Sequence, residues 1–593
     1  MLAALMTRNA RADVPRAIAR LRAATGCQNT NGFARYIGRH FGDDLTGPFD
    51  ETVAPDGRYV QVVHKGPLRS ASGYDGSTAW SQDFSGGSHR LDADDAHALA
   101  QTDAWLLSRG WCHSDATTAY TAYGEHDSRQ GPVTVVSVTP RGGSSATLWI
   151  DVASGLLDRV EQQLNEERRI TTYADWRTVL GRAVPFSWIV DYPEDQSEEH
   201  FEFDRIDHAG ALPPGTFAMP SLPRDFKFVT AETFTTVPLS LEGDKPIVDV
   251  RINGVGPLPF ELDTGGHFIV TPATVRRLRL STIGHGQELG QGTRVASTRF
   301  ARVADVRLGN AQMTDQVAVV VPVPAWKLDR GTKPPLAGIL GLGLFERFAV
   351  TFDPRRPSVT LRSLARSRPM PSGLRLPITF DEDAPLTPCT IDGRAGPCMI
   401  DTGNAGYTIV EHHWAVRNGL LGKLRRGLRD GDFTVERSDI GLGPILLPHE
   451  LIEYDGDAVR GSESTTVEAG ILSEALLDRF EMAVDYGRGA VWLYALRGTR
   501  RTPFDRVGLI VSKRSDGAFE VARLLPCSPA SNSRLHVHDV ITAVNGKPSS
   551  LLSRAQFNDL KVGPIGSAIS LQFHAVSSNT VQHVSVRLHE LLR

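Results

Sequence analysis

The chain contains Pro259-Phe-Glu-Leu-Asp-Thr-Gly-Gly-His-Phe-Ile-Val270, and this segment is the key to its architecture because a related segment recurs farther along. The second copy reads Pro397-Cys-Met-Ile-Asp-Thr-Gly-Asn-Ala-Gly-Tyr-Thr-Ile-Val410. In each copy an apolar run leads into Asp-Thr-Gly, and another apolar run follows. A strand pattern with a glycine-containing turn precedes each copy, at residues 251–254 and 390–393. The chain therefore contains an internal repeat.

Each copy is followed by a second similar block, which begins nearly the same number of residues after the aspartate in both halves. It reads Gly338-Ile-Leu-Gly-Leu-Gly-Leu-Phe-Glu-Arg-Phe348 in the first half and Gly470-Ile-Leu-Ser-Glu-Ala-Leu-Leu-Asp-Arg-Phe480 in the second. Each block continues into a strand pattern that ends in aspartate, at Asp353 and Asp485. A single Asp-Thr-Gly can occur by chance, but two copies with the same partner block indicate duplicated lobes.

Each Asp-Thr-Gly is predicted to be a tight turn at the end of a buried strand. The small glycine lets the turn backbone approach its neighbour closely. The threonine hydroxyl can hydrogen-bond inside the turn or across to the other lobe. The downstream Ile-Leu block is expected to form a strand that passes close to the turn. The residues predicted to support the two turns are Thr264, Gly265, Thr402 and Gly403.

The aspartates of the two turns, Asp263 and Asp401, are the candidate catalytic residues. Lobes docked face to face bring their carboxyl groups together, and two carboxylates that close do not both ionise easily. The pair therefore holds one proton over a wide pH range. The ionised member takes a proton from a bound water, and the protonated member donates to the scissile carbonyl. The sequence does not fix which aspartate plays which part.

Residues 235–496 resemble the retropepsin-like aspartic proteases in both turns and in both downstream blocks. The resemblance implies two β-barrel lobes in tandem, hydrolysis of peptide bonds in a peptide or protein substrate, and no metal or cofactor. Related single-lobe enzymes need two chains, whereas here both halves lie in one chain, so a monomer suffices. Ser473 departs from the pattern, because the family usually has glycine there, and it is expected to crowd the second lobe.

A flap over the substrate is also expected from the resemblance. The best candidate in the first lobe is the glycine-rich stretch 284–292, and a less clear counterpart lies at 427–433. The alternative for both stretches is an ordinary surface loop. His267, just past the first turn, either lines the cleft or is a local hydrogen-bonding residue.

The segment before the repeats opens with a helical pattern around Ile18 and Leu21 and then reads as strands and turns. It resembles the periplasmic lipoprotein-carrier fold through Gly73-Tyr-Asp-Gly-Ser-Thr-Ala-Trp80 and Leu148-Trp-Ile-Asp151. The resemblance implies an antiparallel, half-barrel-like sheet with a concave apolar face. Such a face binds lipid or substrate, or the domain is only a folded appendage.

The last segment resembles the PDZ domain of bacterial proteases. The resemblance rests on Ser528-Pro-Ala530, Asp539-Val-Ile541 and Val544-Asn-Gly546. Arg534 and His538 stand where the family has glycine, so the turn before Asp539 is atypical.

A module of this kind binds an extended chain end by adding a strand to its sheet. The candidate peptide-binding residues are Gly508, Leu509 and Ile510. The alternative is a module that only packs against the protease lobes.

Composition and charge narrow the class of protein. The chain has 593 residues, which is too long for one hydrophobic core. Its net charge of -4 and the lack of a long basic run exclude a nucleic-acid binder. No apolar stretch of about 18 residues predicts a transmembrane segment. The predicted fold is mainly β, with domains at 13–222, 228–365, 372–497 and 503–593.

The five cysteines and the paired histidines fit no zinc pattern. Cys389 and Cys398 flank a predicted hairpin turn at Asp392-Gly393. A four-residue loop places them opposite each other, where a disulfide is possible, whereas a two-residue loop places Cys389 opposite Gly396. The alternative is two free buried thiols.

Two histidine motifs lack the partners that a metal site needs. His412-His413 has no third ligand in view, and His449-Glu450 lacks the second histidine of a zinc-protease helix. Both are expected to be surface or structural residues.

The N-terminus indicates export. Residues 1–6 are apolar, and Ala10-Arg-Ala12 has the small-x-small form of a signal-peptidase site. This pattern suggests a truncated signal peptide, and the alternative is an ordinary N-terminus. A periplasmic or secreted location is therefore expected.

Three functions from different classes follow. The first is an exported aspartic endopeptidase whose PDZ module recruits peptide or protein substrates. The second is a non-catalytic periplasmic protein that binds peptides or lipoproteins on a protease-like scaffold, a hypothesis that Ser473 keeps open. The third is a lipid carrier dominated by the first domain.

Overall fold

The computed structural model describes residues 10–27, 32–113, 116–128, 131–165, 167–289, 295–366, 372–424, 427–430, 433–455, 465–497, 503–576 and 580–592. The chain is mainly β, and antiparallel sheets dominate, which confirms the predicted fold class. Residues 1–9 of the expected export signal lie outside the described residues. No described helix is long and apolar enough to cross a membrane.

The N-terminal part of the chain forms one long antiparallel sheet. Its strands are β1 (Phe33–Gly42), β2 (Leu45–Val53), β3 (Tyr59–Lys65), β4 (Leu68–Tyr74), β5 (Ala79–Gln82), β6 (Ser88–Leu91), β7 (Ala119–Ser128), β8 (Gly131–Thr139), β9 (Ala146–Asp151), β10 (Leu157–Gln163), β11 (Arg168–Val179), β12 (Arg182–Tyr192) and β13 (Ser197–Ala209). The order is β6-β5-β4-β3-β2-β1-β13-β12-β11-β10-β9-β8-β7. Each pairing therefore joins two strands that are consecutive in the chain, except the pairing of β1 with β13, which are the first and last strands of the sheet.

Two helices, α1 (Ala10–Thr25) and α2 (Asp94–Leu107), belong to this part of the chain. Ile18 and Leu21 of α1 are buried in a core with Val136 and Leu148, as their helical spacing predicted. A disulfide between Cys27 and Cys112 ties the end of α1 to the short turn that follows α2, and the sequence analysis did not foresee it.

The first lobe is a sheet closed by an additional pairing of β21 with β22, which gives it the character of a barrel. Its strands are β14 (Phe226–Phe228), β16 (Ser240–Leu241), β17 (Pro246–Ile252), β18 (Val255–Leu262), β19 (Ile269–Val270), β20 (Thr282–Leu289), β21 (Val295–Leu308), β22 (Ala311–Val320) and β23 (Gly338–Leu340). The helices of this lobe are α3 (Pro272–Leu278), α4 (Ala325–Leu328) and α5 (Leu342–Arg347).

The second lobe repeats this plan, and the pairing of β28 with β32 closes it. Its strands are β27 (Thr379–Asp381), β28 (Ala384–Ile391), β29 (Arg394–Ile400), β30 (Thr408–Val410), β31 (Leu428–Asp430), β32 (Phe433–Leu442), β33 (Ile445–Asp455) and β34 (Gly470–Leu472). The helices are α6 (His412–Arg417), α7 (Leu421–Leu424) and α8 (Glu474–Leu477).

A third sheet joins the two lobes. Its strands are β15 (Phe234–Pro238), β24 (Phe348–Asp353), β25 (Ser358–Ser363), β26 (Leu374–Pro377), β35 (Phe480–Asp485) and β36 (Ala490–Ala495). They run in the order β15-β25-β24-β35-β36-β26, so β24 of the first lobe pairs directly with β35 of the second. One continuous hydrophobic core extends through both lobes, which fixes their relative position.

The C-terminal module is a separate small sheet with its own core. Its elements are β37 (Leu509–Lys513), β38 (Phe519–Leu524), β39 (Val540–Val544), β40 (Lys547–Pro548), α9 (Arg554–Lys561), β41 (Ala568–His574) and β42 (Val581–Arg587). Strand β37 is at one edge of this sheet and pairs with β38 on its other side. Ser553 and Gln556 form a reciprocal capping box at the start of α9.

The hairpin that carries Cys389 and Cys398 has the shorter of the two loops considered. Ile391 pairs with Arg394, so Cys389 lies opposite Gly396. The two cysteines are nevertheless joined by a disulfide, with their Cα atoms 5.7 Å apart. The bond crosses the hairpin diagonally, which the register alone did not indicate.

Candidate active site

The two Asp-Thr-Gly turns lie at corresponding places in the two lobes. Asp263 follows β18, which pairs in parallel with β23, and Asp401 follows β29, which pairs in parallel with β34. The Asp263 amide donates to the Leu340 carbonyl oxygen at 3.2 Å, and the Asp401 amide donates to Leu472 at 3.4 Å. The Ile-Leu blocks therefore pass beside the turns, as the repeat predicted.

The threonines of the two turns exchange hydrogen bonds across the lobe interface. The Thr264 amide donates to the Thr402 hydroxyl at 3.0 Å, and the Thr402 amide donates to the Thr264 hydroxyl at 3.0 Å. Each hydroxyl then donates to a carbonyl of the opposite lobe, Thr264 to Ile400 at 2.7 Å and Thr402 to Leu262 at 2.8 Å. Both threonine residues are fully buried, so these four bonds hold the two turns back to back.

This exchange of hydrogen bonds between Thr264 and Thr402, the threonine exchange, brings the carboxyl groups of Asp263 and Asp401 together. Oδ1 of Asp263 accepts from the Gly265 amide at 2.9 Å, and Oδ1 of Asp401 accepts from the Gly403 amide at 2.7 Å. The two aspartate side chains also hydrogen-bond to each other. A side chain at Gly403 would come within 2.3 Å of Oδ2 of Asp263, so the close approach requires glycine there.

The electrostatics of the pair favour a shared proton. Burial raises the pKa of Asp263 well above its ordinary value, and the neighbouring charge of Asp401 raises it further. Burial also raises the pKa of Asp401, although the hydrogen bond to Asp263 and the turn amides lower it in part. Since the hydrogen bond between them needs one protonated carboxyl, the pair titrates as a unit.

Tyr486 is a further member of the site, and the sequence analysis missed it. It follows β35 in the second lobe, yet its hydroxyl donates to the Thr264 carbonyl of the first lobe at 2.7 Å. Its ring contacts Phe345 and Phe380, with centroid distances of 5.7 and 5.0 Å. Burial, together with the charges of the two aspartates, raises the pKa of Tyr486 well above its ordinary value, so the hydroxyl stays a donor.

Ser473 is accommodated in the second lobe with an unstrained backbone conformation. At the equivalent place in the first lobe, a Cβ on Gly341 would lie 1.9 Å from the Gly266 carbonyl oxygen. Ser473 instead has φ −81° and ψ 156°, an ordinary extended conformation, whereas Gly341 has φ −119° and ψ −135°. The amide that follows makes the same contact in both lobes. In the first lobe the Leu342 amide donates to the Gly266 carbonyl oxygen at 2.7 Å, and in the second lobe the Glu474 amide donates to the Asn404 carbonyl oxygen at 3.0 Å.

Two more buried carboxyl groups lie close to the pair. Glu261 is paired with Lys245, whose Nζ lies 2.7 Å from Oε2. Glu474 is buried, and its Oε2 has no hydrogen-bond partner among the described residues. Burial raises the pKa of Glu474 well above its ordinary value, and the charge of Asp478 adds to this. Glu474 is therefore expected to be neutral, which limits the negative charge around Asp263 and Asp401.

His89 joins the N-terminal sheet to both lobes. Its Nδ1 lies 3.0 Å from Oε1 of Glu346 in the first lobe. Its Nε2 lies 2.9 Å from the Glu382 carbonyl oxygen and 3.3 Å from Oδ1 of Asp383 in the second lobe. Burial lowers the pKa of His89, but the bonds to Asp383 and Glu346 outweigh burial and raise it to about 10. The imidazolium is thus a buried cation between two carboxylates.

A cavity opens beside the first Asp-Thr-Gly turn, between the N-terminal sheet and the first lobe. Its volume is about 500 Å³. His267 and Phe268, just after the turn, and Leu340, which accepts the Asp263 amide, line one side. The side chain of His267 is half exposed and lies 3.5 Å from Oδ2 of Asp383. The structure therefore places His267 at the cavity wall.

The two predicted flap regions are hairpins that contact different neighbours. In the first lobe the His285 amide, on β20, donates to the Asp43 carbonyl of the N-terminal sheet at 2.7 Å. In the second lobe Leu428 and Val435 pack with Phe504 of the C-terminal module. Residues 290–294 and 431–432 lie outside the described residues, so a flap role for 284–292 and 427–433 stays a prediction.

The other histidines singled out in the sequence lie apart from this site. His412 bonds to the Tyr454 hydroxyl at 2.9 Å through Nδ1, and His449 is exposed beside Asp439. Within the described residues no group of three or more His, Cys, Asp or Glu side chains is placed to hold a metal ion.

The candidate peptide-binding residues of the C-terminal module lie at the start of its edge strand. Gly508 has a φ of 69°, and Leu509 is fully buried in the core of the module. The Asp505 carboxylate already accepts from the amides of Val507 and Gly508 at 2.7 and 2.9 Å. Peptide binding at Gly508, Leu509 and Ile510 stays a prediction.

Comparison with known proteins agrees with the geometry of the first lobe. The aspartyl protease family matches residues 248–344, which contain the first Asp-Thr-Gly turn and its partner block. No curated protein matches the chain.

Similar solved structures include a LolA superfamily protein from Nitrosomonas europaea, with 12% identity and a TM-score of 0.25, covering 34% of this chain and 96% of that one. Another is a DUF1329 family protein from Desulfovibrio piger, with 13% identity and a TM-score of 0.27, covering 36% of this chain and 98% of that one.

The threonine exchange predicts a specific loss of stability. Thr402→Val keeps the shape of the side chain but removes the hydroxyl, which leaves the Thr264 amide and the Leu262 carbonyl without their partner. Each buried group left unsatisfied costs about 1–3 kcal/mol, so the thermal midpoint should fall clearly. Thr236→Val, at an exposed threonine, is the matched control and should shift the midpoint little. Equal midpoints for the two variants would contradict the role of the exchange.

The buried imidazolium of His89 predicts that replacing this residue lowers the stability of the protein by an amount that depends on pH. His89→Gln removes the cation between Glu346 and Asp383. Because the pKa of His89 is raised to about 10, its stabilising contribution is complete below its ordinary value of 6.5 and is lost as the pH rises towards about 10. The midpoint difference between wild type and variant should therefore be large at about pH 6 and small at about pH 10.

The matched control for this prediction is His200→Gln, at a surface histidine that pairs with Glu198. An exposed pair contributes little, so this variant should match wild type at both pH values. A His89→Gln deficit that is the same at both pH values would mean that packing, and not charge, is responsible.

Proposed function

We propose that this chain is an aspartic endopeptidase that cleaves peptide bonds with a water activated by Asp263 and Asp401. The observation that carries the proposal is the threonine exchange, which sets the two carboxyl groups side by side in a hydrogen-bonded pair. Keeping two acids in this arrangement opposes folding unless a proton is shared. A shared proton is what general acid–base hydrolysis uses.

The chemistry follows from the protonation of the pair. A water held between the carboxyl groups loses a proton to the ionised aspartate and attacks the peptide carbonyl carbon. The protonated aspartate donates to the carbonyl oxygen, which gives a neutral tetrahedral intermediate. The aspartate that took the water's proton then donates it to the amide nitrogen, while the other aspartate takes a proton back from a hydroxyl of the intermediate. The C–N bond breaks, the amine and the acid are released, and the pair again holds one proton. Both turns come from one chain, so one copy is proposed to suffice.

The cavity beside the first turn is a candidate subsite for a substrate side chain. Phe268, Phe300 and Leu340 provide apolar surface, while Lys65 and Asp383 are charged groups on its wall. A pocket with apolar walls and a few polar groups is typical of small-ligand and side-chain recognition. Because strands of the N-terminal sheet contribute to the wall, we propose that this domain takes part in substrate selection.

The C-terminal module is proposed to be PDZ-like and to recruit peptide or protein substrates along its edge strand β37. Asp505 occupies the amides of Val507 and Gly508, and Lys561 lies 2.8 Å from the other oxygen of Asp505. A peptide whose terminal carboxylate sought these amides would have to displace Asp505. Binding of an internal extended segment along β37 avoids this competition.

Export from the cytoplasm is part of the proposal. The disulfides Cys27–Cys112 and Cys389–Cys398 both join buried or half-buried cysteines. Disulfides persist in oxidising compartments, whereas cytosolic thiols are kept reduced. A periplasmic or secreted location therefore fits the two disulfides better than a cytosolic one.

The decisive experiment is hydrolysis of an unfolded protein substrate by single-site variants. Asp263→Asn and Asp401→Asn should each lose essentially all cleavage, because an amide can neither take the water's proton nor donate the shared one. Asp249→Asn, at an exposed aspartate of β17, is the matched control and should cleave like wild type. Cleavage by Asp401→Asn at the wild-type rate would exclude the mechanism.

The same variants should gain stability. A carboxyl whose pKa is raised in the folded state stabilises the fold most at low pH and loses this contribution as the pH rises. Asp401→Asn removes the repulsion, so its thermal midpoint should exceed that of wild type at about pH 7.5 and approach it near pH 3, where both acids are protonated. A lower midpoint at both pH values would mean that the pair is not under electrostatic strain.

A further inference from the structure

The N-terminal sheet encloses a second cavity, which the Asp263 and Asp401 turns do not line. Its volume is about 220 Å³. Aromatic side chains form much of its wall, and several of them carry a hydroxyl or an indole N–H. The aromatic lining residues are Tyr36, Tyr59, Trp111, Tyr173, Trp176, Trp188, Tyr192 and Phe201. Nothing in the proposed proteolytic mechanism uses this space.

A carboxylate sits in the middle of this aromatic wall because of the sheet register. Tyr36 on β1 pairs with Glu51 on β2, Glu51 pairs with Gln61 on β3, and Gln61 pairs with Ser72 on β4. Residues directly opposite in neighbouring strands point to the same face. The four side chains therefore form a row across the sheet, and all four line the cavity.

Glu51 is the unusual member of this row. Its side chain is almost fully buried, with 2% exposure. Its Oε2 has no hydrogen-bond partner among the described residues. Ionising a carboxyl group in this buried place is unfavourable, and no contact among the described residues stabilises the ionised form of Glu51. A ligand group that enters the cavity would supply the missing partner.

The neighbouring acids are already paired. Asp103 of α2 is paired with Arg169 of β11 and accepts from Gln162 at 2.9 Å. Glu199 of β13 is paired with Lys65, whose Nζ lies 2.8 Å away. Glu51 is therefore the acid of the described cavity wall that remains to be neutralised.

The basic groups of the wall do not neutralise Glu51. The guanidinium of Arg109 donates to the carbonyl oxygens of Thr25 and Ala183, at 3.1 and 2.8 Å. Arg169 is engaged by Asp103 and by the Gln162 side chain, at 2.8 Å from the latter. The position beside Glu51 is thus left for a positive charge from outside.

The aromatic rings next to Glu51 form a continuous surface. Tyr36 and Tyr173 each contact Trp188 edge-on, with centroid distances of 6.1 and 6.3 Å. Tyr173 also lies 6.1 Å from Trp176. The faces of such rings attract cations, and aromatic cages of this composition recognise quaternary ammonium groups.

An acyl chain suits this cavity poorly. Glu51, Gln61, Gln162 and Arg169 all line it, and hydrocarbon packed against them would leave their polar atoms without partners. The lining of this cavity is therefore polar and aromatic.

We propose that the cavity of the N-terminal sheet is a binding site for a small organic cation of the alkylammonium class, held by the Glu51 carboxylate and the rings of Tyr36, Tyr173 and Trp188. The carboxylate supplies the counter-charge, and the rings exclude water and stabilise the cation. The ammonium group belongs either to a free small molecule or to a lipid headgroup, and the chemistry of recognition is the same for both.

Binding should be linked to the proton on Glu51. Burial, followed by the charges of Asp103 and Asp50, raises the pKa of Glu51 to about 8. The other titratable or charged groups facing this region are Tyr36, Tyr59, Arg109, Arg169, Tyr173, Tyr192 and Glu199. A cation displaces the proton, so affinity should rise roughly tenfold from pH 6 to pH 7 and level off above about pH 8.

The test uses choline as the probe and the full chain as the receptor. Calorimetry and tryptophan fluorescence should show saturable binding of choline but not of its uncharged carbon isostere, dimethylbutanol. Glu51→Gln should weaken choline binding at least tenfold while keeping the thermal midpoint, because the amide mimics the protonated acid. Glu202→Gln, at an exposed glutamate of β13, is the matched control and should bind like wild type.

Phosphatidylcholine vesicles form a second arm of the test. Co-sedimentation that Glu51→Gln abolishes would support the site and assign the ammonium to a lipid headgroup. Equal binding of choline and dimethylbutanol, unchanged binding by Glu51→Gln, or no saturable binding by wild type would overturn the proposal. Binding of decanoate in place of choline would also overturn it, because that result would indicate an acyl-chain site.

Discussion

The exchange of hydrogen bonds between Thr264 and Thr402 is the constraint on which the rest of the site depends. Two carboxyl groups this close do not both ionise easily, so the bonds that fix the two turns have to come from other groups. The exchange supplies four buried hydrogen bonds, and the shared sheet adds the pairing of β24 with β35. The turns are therefore fixed by bonds that do not involve the carboxylates, which leaves those groups available for chemistry.

The surroundings of the pair control its charge. Lys245 neutralises Glu261, and Glu474 is held in the neutral form by burial, so the two nearest additional acids contribute little negative charge. Farther out, His89 is a buried cation that contacts a glutamate of one lobe and an aspartate of the other. Charges in a buried setting are weakly screened, so Lys245 lowers the pKa of Asp263 and Glu261 raises the pKa of Asp401.

The flanking modules are attached where they can influence the cleft. The N-terminal sheet contacts the β20 hairpin of the first lobe, and the C-terminal module packs against the β31–β32 hairpin of the second lobe. The N-terminal sheet also builds part of the cavity beside the first Asp-Thr-Gly turn, and it contains a polar and aromatic cavity of its own. The chain thus combines two similar lobes with two modules of different fold, and each module contacts a hairpin of one lobe.

The repeat, the mainly β fold and the two candidate aspartates could all be predicted from the amino-acid sequence, because they follow from local patterns that recur along the chain. It left open whether the threonines bond within a turn or across the lobes, and it missed Tyr486, His89 and the Cys27–Cys112 disulfide. Each of these joins residues far apart in the chain. Such contacts could not be predicted from local patterns, because they depend on how complete lobes and sheets pack, and no periodicity in the sequence encodes the distance between two remote residues.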